Sequence, residues 1–170
     1  MIRTIADFQE RWKEESDSTL NIFRHLTDES LFVKVHADTR TLGRLANHLI
    51  ETIYEFGHKL GLGLEEQHVV YKSVAELTAA YEKAARRMVE AVTQNWNEAS
   101  LDIEVNMYGE PWKNGLSLYY LMSHQTHHRA QMTTLMRQAG LRVPGLYGPS
   151  REEWIAYNMQ PQEKHTTPFA

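Results

Sequence analysis

Three histidines, His124, His127 and His128, stand close together in the stretch Leu121-Met-Ser-His-Gln-Thr-His-His-Arg-Ala-Gln-Met132. Good helix formers flank that stretch on both sides, so it reads as one helical segment. On a helix each residue turns the side-chain direction by about 100°, which stacks residues four apart on one face. His124 and His128 therefore point the same way. Leu121 precedes them on that stripe and Gln131 and Leu135 follow, placing two imidazoles and one amide between leucines on the face expected to be buried. His127 falls to one side of the stripe, and Arg129 is expected to face solvent. Two neutral imidazoles in an apolar setting are ligands for a divalent metal ion, which removes the cost of desolvating them unpaired. Without an ion they would have to be hydrogen-bonded core or boundary residues.

The helix that carries them has to be packed against others. Periodic apolar residues predict a first helix over 4–27, opened by Thr4 and Asp7 and built on Ile5, Phe8, Trp12, Leu20, Phe23 and Leu26, with a polar middle, 13–19, facing solvent or a bundle end. His25 at its end reads as a dipole-compensating or surface residue. A second helix runs over 41–60, closed by Gly61 and Gly63. It carries His48 at mid-length, with Thr52, Glu51 and Glu55 on or beside the same face. A lone mid-helix histidine is commonly a satisfied core residue, but beside the His124/His128 pair it is the candidate third ligand.

Ser73 and Glu76 open a third helix reaching about Trp96, whose small and aliphatic face reads as packing surface. The alternating segment Leu101–Tyr108, ending at Gly109, is a short extended arm that must pair locally or across a partner. The fourth helix begins between Trp112 and Leu116 and stops at Gly140. A Pro/Gly-rich turn over 143–149 follows, then a short final helix capped by Ser150 and Glu153, and a frayed tail from Pro161. The expected architecture is all-α: a four-helix bundle over about 4–140 with a C-terminal extension over 141–170, in a single domain. Such a bundle would bring His48 to His124 and His128 across a helix interface.

Length and composition narrow the function. At 170 residues the chain suits one well-buried core. A net charge of −4 with no basic cluster argues against binding nucleic acid through phosphate neutralisation. The absence of cysteine excludes disulfides, a zinc–thiolate site and a cysteine nucleophile, so any metal must be held by nitrogen and oxygen. No run approaches a membrane span, and the N-terminal residues lack the apolar core of a signal peptide. A soluble, cytoplasmic protein without a membrane partner is expected.

Three blocks together resemble the DinB/YfiT-like family of helical-bundle metalloproteins over nearly the whole chain. They are Thr41-Leu-Gly-Arg-Leu-Ala-Asn-His48, His124-Gln-Thr-His-His-Arg-Ala-Gln131 and Val143-Pro-Gly-Leu-Tyr-Gly-Pro-Ser150. The middle block corresponds to the family's H-x-x-H-H-R-G-Q, with Ala130 in place of the usual glycine. The resemblance implies up-down-down-up connectivity, a homodimer, and nickel, zinc or a similar divalent ion held by His48, His124 and His128. It also implies chemistry of the kind carried out by family members that use bacillithiol or mycothiol: transfer of a low-molecular-weight thiol, or thiol-dependent isomerisation, of a small-molecule substrate.

Three histidine ligands leave coordination positions open, as a catalytic metal requires. A metal-held thiolate attacking an electrophile is the mechanism expected, with the sulfur supplied from outside. A zinc-protease pattern is excluded because Gln125, not glutamate, follows the first histidine. Glu51, Glu55 and His127 are the candidate general bases, and Gln131 is expected to orient a ligand histidine or a bound water. A metal-dependent hydrolase and a non-catalytic metal-binding or stress-related bundle are the alternative functions.

Overall fold

The computed structural model describes residues 2–160. It contains four long helices: α1 (Ile5–Phe23), α2 (Leu42–Lys59), α3 (Val74–Asn95) and α4 (Asn114–Gln138). Each start is chemically marked. Thr4 and Asp7 form the expected capping box on α1, Thr41 accepts from the Arg44 amide on α2, and Ser73 accepts from the Glu76 amide on α3. Helix α1 is shorter than its sequence pattern predicts. It ends at Phe23; Leu26 is buried in the connection beyond it, and a separate single 3-10 turn follows over Glu29–Phe32.

Cross-helix contacts give the direction of every helix. Gln9 meets Thr93 and the Trp12 indole donates to the Ala85 carbonyl at 2.9 Å, so α1 and α3 run antiparallel. Asn47 accepts from the Tyr71 amide, and Arg87 lies over the Tyr54 ring, so α2 and α3 run parallel. Gln125 bonds the Leu49 carbonyl while Tyr108, before α4, reaches Glu55, so α2 and α4 run antiparallel. The bundle is therefore up-down-down-up. Its core holds Phe8, Trp12, Phe23, Leu49, Ile53, Tyr81, Met88, Leu121 and Met132, with α2 packed against α4 on one side and α3 on the other. Among the described residues no helix is long and apolar enough to cross a membrane.

The arm before α4 pairs locally. Strand β1 (Glu104–Met107) runs antiparallel to β2 (Glu110–Lys113), with Val105 opposite Trp112. The two-residue turn puts Tyr108 at φ 57° and Gly109 at φ 93°, the left-handed pair that matches hairpin twist. Tyr108 is held in that unfavourable conformation by its hydroxyl, which donates to Glu55 at 2.9 Å, and by ring contacts with Phe56 and Trp112. The C-terminal segment differs from expectation as well. Its short helix is a 3-10 turn over Trp154–Tyr157, while Glu153 accepts from the Ser150 and Gly145 amides. The expected tail from Pro161 lies outside the described residues.

The largest correction concerns Arg129, which faces the core and not solvent. Its relative exposure is 0%. A guanidinium cannot be buried without partners, and the polar middle of α1 supplies them. Arg129 ion-pairs with Glu15, donates to the Glu15 carbonyl at 2.9 Å and reaches the Thr19 hydroxyl at 3.1 Å. Ser16 and Thr19 are buried too, so one side of that stretch is turned inward, with Glu15 and Thr19 on Arg129, while Lys13, Glu14 and Asp17 face solvent as expected. Tyr147, from the Pro/Gly-rich turn, closes the network by donating to Glu15 at 2.8 Å and contacting Thr126 at 2.9 Å. The Pro/Gly-rich turn after α4 is thereby tied to α1 and α4 together.

This network predicts an asymmetric mutational response. Glu15→Ala strands Arg129 and is expected to lower unfolding free energy by about 3 kcal/mol in a urea titration, toward the low end for a broken buried pair. Lys13→Ala, which breaks an exposed pair with Asp17 on the same helix, leaves the urea midpoint near native. Equal effects of the two would contradict the burial assigned to Arg129.

Candidate metal centre

The second and fourth helices bring His48, His124 and His128 to one point. One ligand nitrogen from each lies within 4.8 Å of the others. The rings meet edge to face, with His48 centroids 5.1 Å from His124 and 4.7 Å from His128. The Nε2 atoms of His124 and His128 face each other at 2.8 Å. A tetrahedral ion with bonds of about 2.0–2.1 Å holds its ligand nitrogens roughly 3.3 Å apart.

The registry that brings them together is fixed from within. Gln125, completely buried on the inner side of α4, donates to the Leu49 carbonyl at 2.9 Å and to the Thr52 hydroxyl at 3.2 Å. The buried Tyr81 hydroxyl on α3 donates to its side-chain oxygen at 3.2 Å. These bonds lock α4 beside His48 of α2. The sequence pattern marks Gln125 only by the missing protease glutamate; its neighbour Gln131, expected on the buried stripe, is exposed.

Electrostatics favour metal ligation. Burial, the Arg40 and Arg44 charges and His128 push His48 down to about 4, against an ordinary value of 6.5. Burial and the neighbouring imidazoles push His124 down to about 4 as well, and burial lowers His128. All three are neutral at pH 7, the form that donates a lone pair to a metal. Three convergent neutral nitrogens with no carboxylate between them fit a borderline divalent ion.

Hydrogen bonds set the tautomers. The Gln131 side-chain oxygen lies 2.7 Å from His128 Nδ1 and can only accept, so His128 carries its proton there and turns an unprotonated Nε2 toward the trio. The Gln131 amide nitrogen then donates to His127 Nε2 at 3.2 Å, which leaves the His127 proton on Nδ1. His127 is exposed, and its ring packs 4.9 Å from that of His128.

The other candidates separate. Glu51 lies 3.5 Å from His48 Nδ1, but its carboxylate is already held by Arg44 at 2.7 Å and Asn47 at 2.8 Å. Glu55 is bound to Tyr108, two helical turns or about 10 Å along the axis from His48. The structure thus gathers His48, His124, His128, Glu51, Gln131 and His127 and leaves Glu55 apart. Beside the trio opens a cavity of about 520 Å³ lined by Val35, Arg40, Leu45, His127, His128 and Leu135, among others.

Known proteins with this organisation were found by three comparisons. The model of the DinB family matches residues 1–164. A protein of Bacillus subtilis strain 168, called uncharacterized protein YrdA, is 37% identical over 163 residues, covering 94% of this chain and 98% of its own. The crystal structure of a DinB-like protein from Bacillus cereus ATCC 10987 superposes with a TM-score of 0.82 at 38% identity, covering 86% of this chain and all of the other. A second DinB-like protein, from Bacillus subtilis, shares the fold with a TM-score of 0.65 at 14% identity over 79% of this chain and 92% of its own.

Two measurements follow from the site. As pH falls, the unfolded chain takes up protons near 6.5, before the folded His48 and His124 do near 4. Stability of the metal-free protein is therefore complete above about pH 6.5 and is lost progressively toward pH 4. Thermal unfolding across that range should show a shallower decline in His124→Gln. Gln131→Leu releases His128 Nδ1 and should weaken zinc binding by about 10–100-fold in competition with a chromophoric chelator; unchanged affinity would remove Gln131 from the site.

Proposed function

The chain belongs to the DinB family, and from that premise we propose that it is a metal-dependent enzyme joining a low-molecular-weight thiol to an electrophilic small molecule. The carrying observation is that the three imidazole nitrogens converge and that one of the three rings, His128, lines a cavity large enough for a small-molecule ligand. A divalent ion bound there, nickel or zinc being the expected ones, would supply the charge that converts a thiol into a thiolate near neutral pH.

The chain's own residues do the remaining work. His48, His124 and His128 are kept neutral by burial, and Gln131 keeps the His128 Nε2 lone pair directed at the trio. Val35, Leu45 and Leu135 keep water from the body of a bound substrate. His127, with its proton on Nδ1 and its ring on the cavity wall, is the residue best placed to carry a proton to or from a reacting group. Glu51 lies beside His48, and its two carboxylate oxygens are already engaged by Arg44 and Asn47, which leaves it in a positioning role. With no cysteine in the chain, the reacting sulfur belongs to the cosubstrate.

The test uses protein purified without a polyhistidine tag. Native protein should bind one nickel or zinc ion per chain and, when loaded, conjugate thiols to 1-chloro-2,4-dinitrobenzene or a comparable electrophile. His48→Ala should lose stoichiometric metal and the conjugation together. Stoichiometric binding unchanged in His48→Ala would refute the three-histidine centre, and a loaded protein inert across a panel of thiols and electrophiles would leave a metal-binding bundle without this activity.

A further inference from the structure

The charge around the histidine centre is unbalanced. Arg40 lies immediately before α2 and lines the same cavity as His127, His128 and Gln131. The other lining residues are Val35, Thr39, Leu45, Thr134 and Leu135, so no carboxylate faces Arg40 across the cavity. Among the described residues Arg40 takes part in no ion pair, and the nearest acidic group at the centre, Glu51, is committed to Arg44 and Asn47. The loop acid Asp38 is 91% exposed, pairs with His36 and is not among the residues lining the cavity. Arg40 nonetheless acts on the centre, since its charge contributes to holding all three imidazoles neutral.

An uncompensated guanidinium on the wall of a partly apolar cavity is an anion receptor. It presents a planar fork of donors that matches a carboxylate. A divalent ion on the trio would add two further positive charges with no acidic side chain free to offset them. The cavity therefore favours an occupant that brings negative charge of its own. A neutral occupant would leave Arg40 and the centre repelling each other.

We propose that Arg40 is a specificity-determining residue that binds a carboxylate on the small molecule occupying this cavity, while Val35, Leu45 and Leu135 take its apolar body. The substrate class is thus a carboxylate-bearing small molecule, carried either on the thiol or on the electrophile. The inference deepens the thiol-transfer reading and rests on it for the identity of the reaction, but the anion site itself needs neither metal nor thiol.

The direct test is NMR of the full-length, metal-free protein titrated with benzoate and with benzamide, which matches it in shape and lacks the charge. Benzoate should shift the Arg40 Nε–H resonance saturably and bind at least about tenfold more tightly than benzamide, the scale of one charge-assisted hydrogen bond. Arg40→Gln should abolish that preference and Arg40→Lys should keep part of it. Arg40 is exposed and precedes the helix, so its replacement does not threaten the fold. Equal binding of the two probes by native protein, or a preference undiminished in Arg40→Gln, overturns the proposal.

Because those samples hold no metal or thiol, failure of the thiol-transfer reading would leave the benzoate result intact, and equal binding of the two probes by native protein would refute the anion site without bearing on conjugation. Zinc-loaded protein then locates the carboxylate. A rise in KM for 3-mercaptopropionate but not 2-mercaptoethanol in Arg40→Gln puts it on the thiol; a benzoate preference without that selective rise puts it on the electrophile.

Discussion

Three imidazoles must stay neutral and within one ion's reach of each other, and the antiparallel packing of α2 on α4 is what meets that constraint. Left in water the rings would protonate near their ordinary value and repel; desolvated together they remain uncharged but lose their hydration. The bundle supports them with Gln131 on His128 and Glu51 beside His48. Gln125 fixes the helix register underneath by bonding backbone and hydroxyl groups of α2. A slip of one residue along α4 would break those bonds and rotate the imidazoles away from His48 by about 100°.

Helix α4 acts on several fronts at once. His124 and His128 look toward α2, Gln125 toward α2 and α3, and Arg129 toward α1. The Arg129–Glu15 pair holds the side of α4 opposite the histidines, and Tyr147 adds the chain after α4 to the same cluster. The motif around the histidines therefore has two structural halves. One half brings two imidazoles to His48, and the other anchors the helix that carries them.

Much of this was readable from residue types and spacing. The capping residues Thr4, Thr41 and Ser73 mark helix starts correctly, and His124 and His128 share a face because four residues nearly complete a turn. Periodicity fails where polarity is buried. Arg129 and the Ser16/Thr19 face of α1 read as surface because each is polar alone, and only their pairing across helices makes burial affordable. Gln125 is hidden for the same reason, while Gln131 sits on the apolar stripe yet tips outward at the cavity rim. Arg40 carries no helical signal at all, since its position at the cavity depends on the path of the loop between α1 and α2.

If His48, His124 and His128 form one open metal centre between α2 and α4, a single ion must touch all three. An anomalous-difference map of crystals of untagged, native protein, collected on either side of the nickel and zinc absorption edges, tests it most directly. A single peak is expected within about 2.0–2.1 Å of one nitrogen from each of the three histidines, with the remaining positions held by solvent or a small ligand. A peak coordinated by Glu51 or Glu55 in place of one of those imidazoles, or a metal closed by a fourth protein ligand, would contradict it.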